Sequence, residues 1–173
     1  MAHTDNIIPT MTSNSAPSGV ASVSGEYSSG YAAWRAFDHV NGPIGWCVNE
    51  PTGYLRYQFP TPRIVTRYAV TTRNTAPAGN MPPRTWTFQG SNDGVEWTTL
   101  DAQTDIIDWA NLEGERKVFD LVNTTTYAYY QLYITESNTG AWVGVGELEM
   151  METVSVLIRS GRFPVLSRVC RGM

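Results

Sequence analysis

The 173 residues predict an all-β fold, an antiparallel β-sandwich, on three observations. Short stretches alternate apolar and polar side chains at the two-residue period of a half-buried strand, and Gly, Pro, Asn and Ser punctuate them. Charged residues make up only 16% of the chain and aromatics 12%, with six Trp and nine Tyr, a balance suited to sheet surfaces of Thr, Ser, Asn and Tyr. The third observation is the stretch Arg84 to Leu100, RTWTFQGSNDGVEWTTL. Trp86 and Phe88 alternate with Thr85, Thr87 and Gln89, Asn92-Asp93-Gly94 supplies a turn, and Val95 and Trp97 resume the alternation. A hairpin carrying two tryptophans is not stable alone, so the rest of the chain must supply the other half of a sandwich.

Taken in order, residues 1–20 read as an irregular arm or an edge strand. Val20 to Ser24 reads as a short strand, 24–31 as a loop, and Ala32 to Phe37 as a single helical turn. Asp38 to Gly53 is a long Gly/Pro-punctuated loop, of the kind that carries function in small domains. Tyr54 to Phe59 puts Leu55, Tyr57 and Phe59 on one face, and Pro60 and Pro62 are expected to end it. Ile64 to Arg73 is the next strand, followed by a loop to Pro83 and the tryptophan hairpin. Polar residues 101–115 read as irregular. Arg116 to Leu121 and Tyr127 to Thr135 are further strands, 136–142 a loop, and Val143 to Met150 a closing strand.

Composition changes at the end. Up to Met151 the chain has 8 basic and 15 acidic residues; from Glu152 onward it has four arginines and that single acid. The expected organisation is therefore a sandwich with an N-terminal arm over 1–151, then a strand and a basic, apolar segment over 152–173. Phe163, Val165, Leu166 and Val169 suit docking onto a neighbouring subunit, so a homo-oligomer or a place in a larger assembly is expected.

Several classes are disfavoured. The net charge is −4 and no basic cluster interrupts the body of the chain, which argues against nucleic acid. No apolar run approaches the ~18 residues of a membrane-inserting helix. The start, MAHTDNIIPTMTSNSAPSG, lacks the basic-then-apolar order of a signal peptide, so synthesis in a cytoplasm is expected. Cys47 and Cys170 are 123 positions apart and are expected to be free thiols. Catalysis finds little to build on. His39 and Cys47 lie in one loop without a guaranteed contact, and Glu147 and Glu149, two apart on a strand, do not flank a cleft as a glycosidase pair must. A non-enzyme is expected.

The order of features resembles the discoidin family, also called coagulation factor 5/8 type C domains, which includes the family 32 carbohydrate-binding modules; the resemblance implies their jelly-roll, galactose-binding-like fold. The residues that carry the resemblance are Ala36-Phe37-Asp38 followed by Trp46, the strand YLRYQF, then RYAVTTR, SNDGVEW, YYQLYIT and GVGELEM. It covers about residues 15–151. His39 stands where the family usually has glycine, and Gln58-Phe59-Pro60 where it commonly has Asp-Leu-Gly. The wording PRTWTFQGSNDGVEWTTLD is most similar to copies in bacteriophage tail and other virion proteins.

The resemblance implies a structural Ca²⁺ beside Asp38 and Glu147, with the carbonyls of Arg35 and Val40 as further ligands. Such an ion takes six to eight oxygens from carboxylates and bent-loop carbonyls. A sugar site needs an aromatic face for the apolar side of the ring and planar polar groups for its hydroxyls. Three loops offer these. Arg73 and Asn80 lie where the family's carbohydrate modules often place an Arg and an Asn, and Trp142 lies where a stacking ring is common. Trp46, Glu50 and Asn138 complete the candidate set, Trp46 being the weakest because its family counterpart packs inside. Trp34, Trp86 and Trp97 are expected in the core. The function these readings imply is a non-catalytic glycan-binding module of a phage particle that touches the host surface and joins other virion subunits through 152–173. The alternative is a purely structural virion decoration or connector protein.

Overall fold

The computed structural model describes residues 2–73, 81–109 and 114–154, and over these the chain is an antiparallel β-sandwich. Ten strands form: β1 (Val20–Val23), β2 (Trp46–Val48), β3 (Gly53–Arg63), β4 (Arg67–Thr71), β5 (Pro83–Ser91), β6 (Thr98–Gln103), β7 (Arg116–Asp120), β8 (Tyr127–Ser137), β9 (Val143–Val145) and β10 (Glu147–Met151). Two short 3-10 turns, Ser29–Tyr31 and Ala33–Ala36, are the described helical elements. One sheet has the order β1-β3-β8-β5-β6, a second β10-β4-β7, and β2 pairs with β9.

The alternation seen in the sequence decides which side of the large sheet is inside. Leu55 and Tyr57 of β3, Trp86 and Phe88 of β5, and Tyr130, Leu132 and Ile134 of β8 all face the core. Tyr68 of β4 meets them from the opposite sheet, stacked 4.2 Å from Phe88 with the rings 3° from parallel. Its hydroxyl donates to Asp101 Oδ2 at 2.7 Å and accepts from Trp86 Nε1 at 2.9 Å, so a buried phenol and a buried indole satisfy each other. Burial pushes the Tyr68 phenol well above its ordinary pKa.

Several elements differ from the sequence reading for identifiable reasons. The N-terminal arm is part of the core: Ile8 and Met11 are fully buried, and Met11 N–H donates to the Phe37 carbonyl at 2.9 Å. β3 continues through Pro60 and Pro62, because these fall in a register break between Gln58 and Arg63 where no ladder N–H is required. The hairpin turn is wider than expected. Asp93 Oδ1 accepts from the N–H groups of Val95 and Glu96 at 2.8 and 2.9 Å, which holds Asp93 below the usual carboxylate range and delays β6 to Thr98. Trp97 therefore lies outside the core, half-buried on the outer face of the large sheet. Trp34 is also only half-buried, its ring covered by the Arg35 guanidinium at 3.9 Å.

The closing strand is two strands. Gly146 separates β9 from β10, and its N–H donates to the Thr71 carbonyl at 2.8 Å. A Cβ at this position would lie 2.6 Å from the Thr72 carbonyl oxygen, so only glycine lets the chain pass that close. Beyond Met151, Thr153 bridges to His3. The remainder of the expected tail strand, the apolar tail residues and Cys170 lie outside the described residues, as does Asn80. No helix among the described residues is long and apolar enough to cross a membrane.

Candidate functional site

The strand pair β2/β9 organises one end of the sandwich, with Trp46 opposite Val145, Cys47 opposite Gly144 and Val48 opposite Val143. The loops 24–32 and 138–142 meet there, together with the chain around Pro43, Arg73 and Met81. Tyr27 N–H donates to the Cys47 carbonyl at 2.8 Å, which fixes the first loop against β2. Trp46 lies beneath it, fully buried, with its indole N–H on the Gly25 carbonyl at 2.8 Å. Trp46 is thus a structural support and not a sugar platform.

Arg73 runs over β9 where Gly144 leaves room for it; a Cβ on Gly144 would lie 3.1 Å from Arg73 Cδ. Its Nη2 and Nε donate to the Pro43 carbonyl at 2.7 and 3.2 Å, and Nη1 approaches Met81 Sδ at 3.3 Å. The side chain is 9% exposed, so it is a loop fastener with little of its donor fork free, contrary to the expectation from sequence. Its charge opposes the rise that burial causes in the Cys47 thiol pKa.

The Arg73 guanidinium carbon sits 4.8 Å over the Tyr31 ring. Tyr31 is 5.7 Å from Tyr27, edge-on at 60°, and Tyr27 is 4.9 Å from Trp142 at 57°. A row of four planar groups thus runs from a buried cation out to solvent, ending on Tyr27, which is 53% exposed, and the half-buried Trp142. Thr139 shapes the Trp142 loop. Its Oγ1 accepts from the N–H groups of Ala141 and Trp142, both at 3.2 Å, and Gly140 takes φ +67°.

Trp142 lies in the 138–142 loop, half-buried against Tyr27, and Tyr27 and Tyr31 join it with no strand pattern to announce them. Their signal was present: two tyrosines in SGEYSSGY, flanked by Ser and Gly, with no strand period to carry them into a core. Asn138 is spent on structure, its Nδ2 donating to the Ile106 and Pro82 carbonyls at 3.2 and 3.4 Å. Glu50 is exposed in the turn after Val48, and the pairing of Val48 with Val143 carries that turn toward Trp142.

Asp38 and Glu147, expected beside a cation, come together at the start of β10. Asp38 and Glu147 are both buried, and the Val40 N–H donates to Asp38 Oδ1 at 2.9 Å and Glu147 Oε1 at 3.0 Å. Burial first, then the neighbouring Asp38 carboxylate, push the Glu147 carboxyl up to about 9. Arg35 Nη1 is 3.5 Å from Asp38 Oδ2 and contributes one positive charge. His39 adopts φ +59°, a left-handed conformation that glycine takes with least cost. Its ring secures this by contacts to Asn6, Thr10 and the Ile8 carbonyl at 3.0 to 3.1 Å.

Glu147 Oε2 is buried without a hydrogen-bond partner. An orphaned carboxylate oxygen beside a second buried carboxylate fits a hard cation. The Val40 carbonyl accepts from Gly42 N–H at 2.9 Å and retains a second lone pair. No cluster of three or more His, Cys, Asp or Glu is found among the described residues, so backbone carbonyls would have to complete the shell. Glu149, the other strand carboxylate, is committed to a bidentate pair with Arg116 at 2.6 and 2.9 Å.

The F5/8 type C domain family model matches residues 18–148, and the chain belongs to that family. No curated protein sequence matches it. Among solved structures it is similar to the family 32 module of Clostridium perfringens NanJ in complex with galactose, at 18% identity and TM-score 0.67, covering 87% of this chain and 100% of that one. CpGH89CBM32-5 of the same organism, in complex with GalNAc-β-1,3-galactose, gives 17% identity and TM-score 0.63 over 76% and 94% of the two chains. Chitosan-binding module 1 of a chitosanase/glucanase from Paenibacillus sp. IK-5 gives 22% and 0.62 over 76% and 93%. At these identities the likeness is one of fold.

Proposed function

We propose that this domain is a carbohydrate-binding module that takes a galactose-type sugar at the β2/β9 end. The observation that carries the reading is the ring pair of exposed Tyr27 and half-buried Trp142, supported from behind by Tyr31 and Arg73. Two tilted rings present an apolar face to the C–H side of a sugar, and exposed Glu50 supplies an acceptor for hydroxyls at the same end. The fold neighbours solved with galactose and GalNAc-β-1,3-galactose favour these as first probes. The test is calorimetric titration of the intact protein with both, alongside Trp142→Ala. Binding that Trp142→Ala weakens at least tenfold is expected; no binding by the intact protein would refute the reading.

The same proposal includes a structural Ca²⁺ held by Asp38 and Glu147 with the carbonyls of Arg35 and Val40. The ion would supply charge neutralisation for two buried carboxylates. The Asp38 loop and β10 would be tied together by this chain's own residues. We place the module on a phage particle, acting on host-surface glycan and attached through 152–173. That setting rests on the similarity of PRTWTFQGSNDGVEWTTLD to virion copies and on the shift to a basic, apolar tail.

A further inference from the structure

The outer face of the large sheet carries a cation with no counterion among the described residues. Seven arginines fall among the described residues, and five of them (Arg35, Arg63, Arg67, Arg84 and Arg116) hold a carboxylate. Arg73 is spent on the Pro43 carbonyl. Arg56, on β3, has no acidic partner among the described residues, and its surroundings hold it in one pose. Its guanidinium carbon lies 4.6 Å from the Tyr54 ring and 4.5 Å from the Trp97 ring. Nε and Nη2 donate to Gln131 Oε1 at 3.3 and 3.0 Å. Gln131 is itself only 4% exposed and is locked by its own amide on Gln89 Oε1 at 2.5 Å.

Two rings and an amide ladder hold the guanidinium with one edge used. The Nη1 edge has no protein partner among the described residues, and its planar fork matches a carboxylate bidentately. The rings and the ladder lower the local polarity, which strengthens such a pair relative to open water. Around the fork the face carries further rings. Tyr133, 45% exposed, stands opposite Tyr54 across the β3/β8 ladder, and Tyr129 stands opposite Gln58. On β5 the Thr87 Oγ1 atom is buried without a hydrogen-bond partner beside Tyr133. Arg56 is the one Lys or Arg at an outward position of β3, β5 and β8 away from the sheet's ends, too little charge for a polyphosphate backbone but enough for one carboxylate per contact.

We infer that this face is a second binding site, separate from the β2/β9 end, for a carboxylate-bearing sugar. The acid is read by the free edge of Arg56, and the neighbouring rings lie along Tyr54, Tyr133 and Trp97. Internal uronates and terminal sialic acids share this chemistry. The test titrates the full chain with polygalacturonate and, separately, with sialyllactose, using amylose as the neutral reference. Binding in either acidic arm that exceeds amylose is expected, and it should fall at least tenfold in Arg56→Gln. Arg56→Lys, which keeps the charge and loses the fork, should fall at least fivefold. Trp142→Ala should leave it unchanged while weakening galactose binding at least tenfold, which separates this site from the one proposed above. Failure of both acidic ligands to bind above amylose would overturn the inference. So would native-like affinity in Arg56→Gln or Arg56→Lys.

Discussion

Replacing Tyr27 by alanine probes the loop platform most directly. A tyrosine contributes roughly 150–250 Å² of ring-bearing surface, and Tyr27 leaves 53% of its own surface exposed. About 100 Å² is then available to a ligand, worth a ceiling of ~2.5 kcal/mol at about 25 cal/mol per Å². A single sugar covers about half of that, so the direct loss is on the order of 1–1.5 kcal/mol, roughly tenfold in Kd. A second effect adds to it. Tyr27 rests 4.9 Å from Trp142, so its removal also frees the other platform ring. The two truncations should therefore be non-additive, with a coupling of ~0.5–1.5 kcal/mol in a double-mutant cycle. The assay is calorimetric titration with galactose and GalNAc-β-1,3-galactose across native, Tyr27→Ala, Trp142→Ala and the double variant, with melting temperatures measured in parallel. Tyr27→Phe should retain most affinity if the ring face is what matters. Native-like affinity in Tyr27→Ala, or strict additivity in the cycle, would refute the platform.

Three further outcomes are expected. In a chelator, Glu147 holds its proton in the folded state up to about 9 against an ordinary 4.5, so stability from this group is complete below pH 4.5 and is lost as pH rises toward 9. Between pH 5 and 8 the melting temperature of Glu147→Gln should rise relative to native by several degrees, the difference should shrink when Ca²⁺ is added, and a pH-independent difference would contradict the buried-proton account. Tyr68→Phe leaves Asp101 and the buried Trp86 N–H each short of a partner and should cost about 2–4 kcal/mol in denaturant unfolding; a loss below ~0.5 kcal/mol would show that the network carries little. Deleting 152–173 should leave the sandwich folded, with a cooperative melting transition, while lowering the mass seen by light scattering, and an unchanged mass would remove the tail from any role in assembly.

Much of the fold was legible because burial follows a period of two wherever a strand has one wet face. Leu55, Tyr57, Trp86, Phe88, Tyr130 and Leu132 announce the large sheet in this way. What escaped was set by tertiary contacts. The three residues Trp46–Val48 are all buried and sit in a Gly/Pro-rich stretch, so they show no alternation to mark β2. Ile8 and Met11 belong to the core through the company of Phe37 and Met150 and through no local pattern. At the site, Trp142 could be placed from its loop alone. Arg73 could not, since its burial depends on Gly144 across the β2/β9 pair and on the Pro43 carbonyl thirty residues away.

The pivot at Gly146 has a bearing on how such a domain diversifies. Trp142 and Glu147 stand on either side of that break, the first in the ring platform and the second in the buried carboxylate pair. β9 is held in register opposite β2 and Gly146 must meet the Thr71 carbonyl, so inserting or deleting a residue between them would carry either the ring or the carboxylate out of place. The spacing from 142 to 147 is consequently a fixed count, closed to length variation from both directions. New ligand preferences have to be written in the loops 24–32 and 138–142, which can grow, shrink and change composition without disturbing that count.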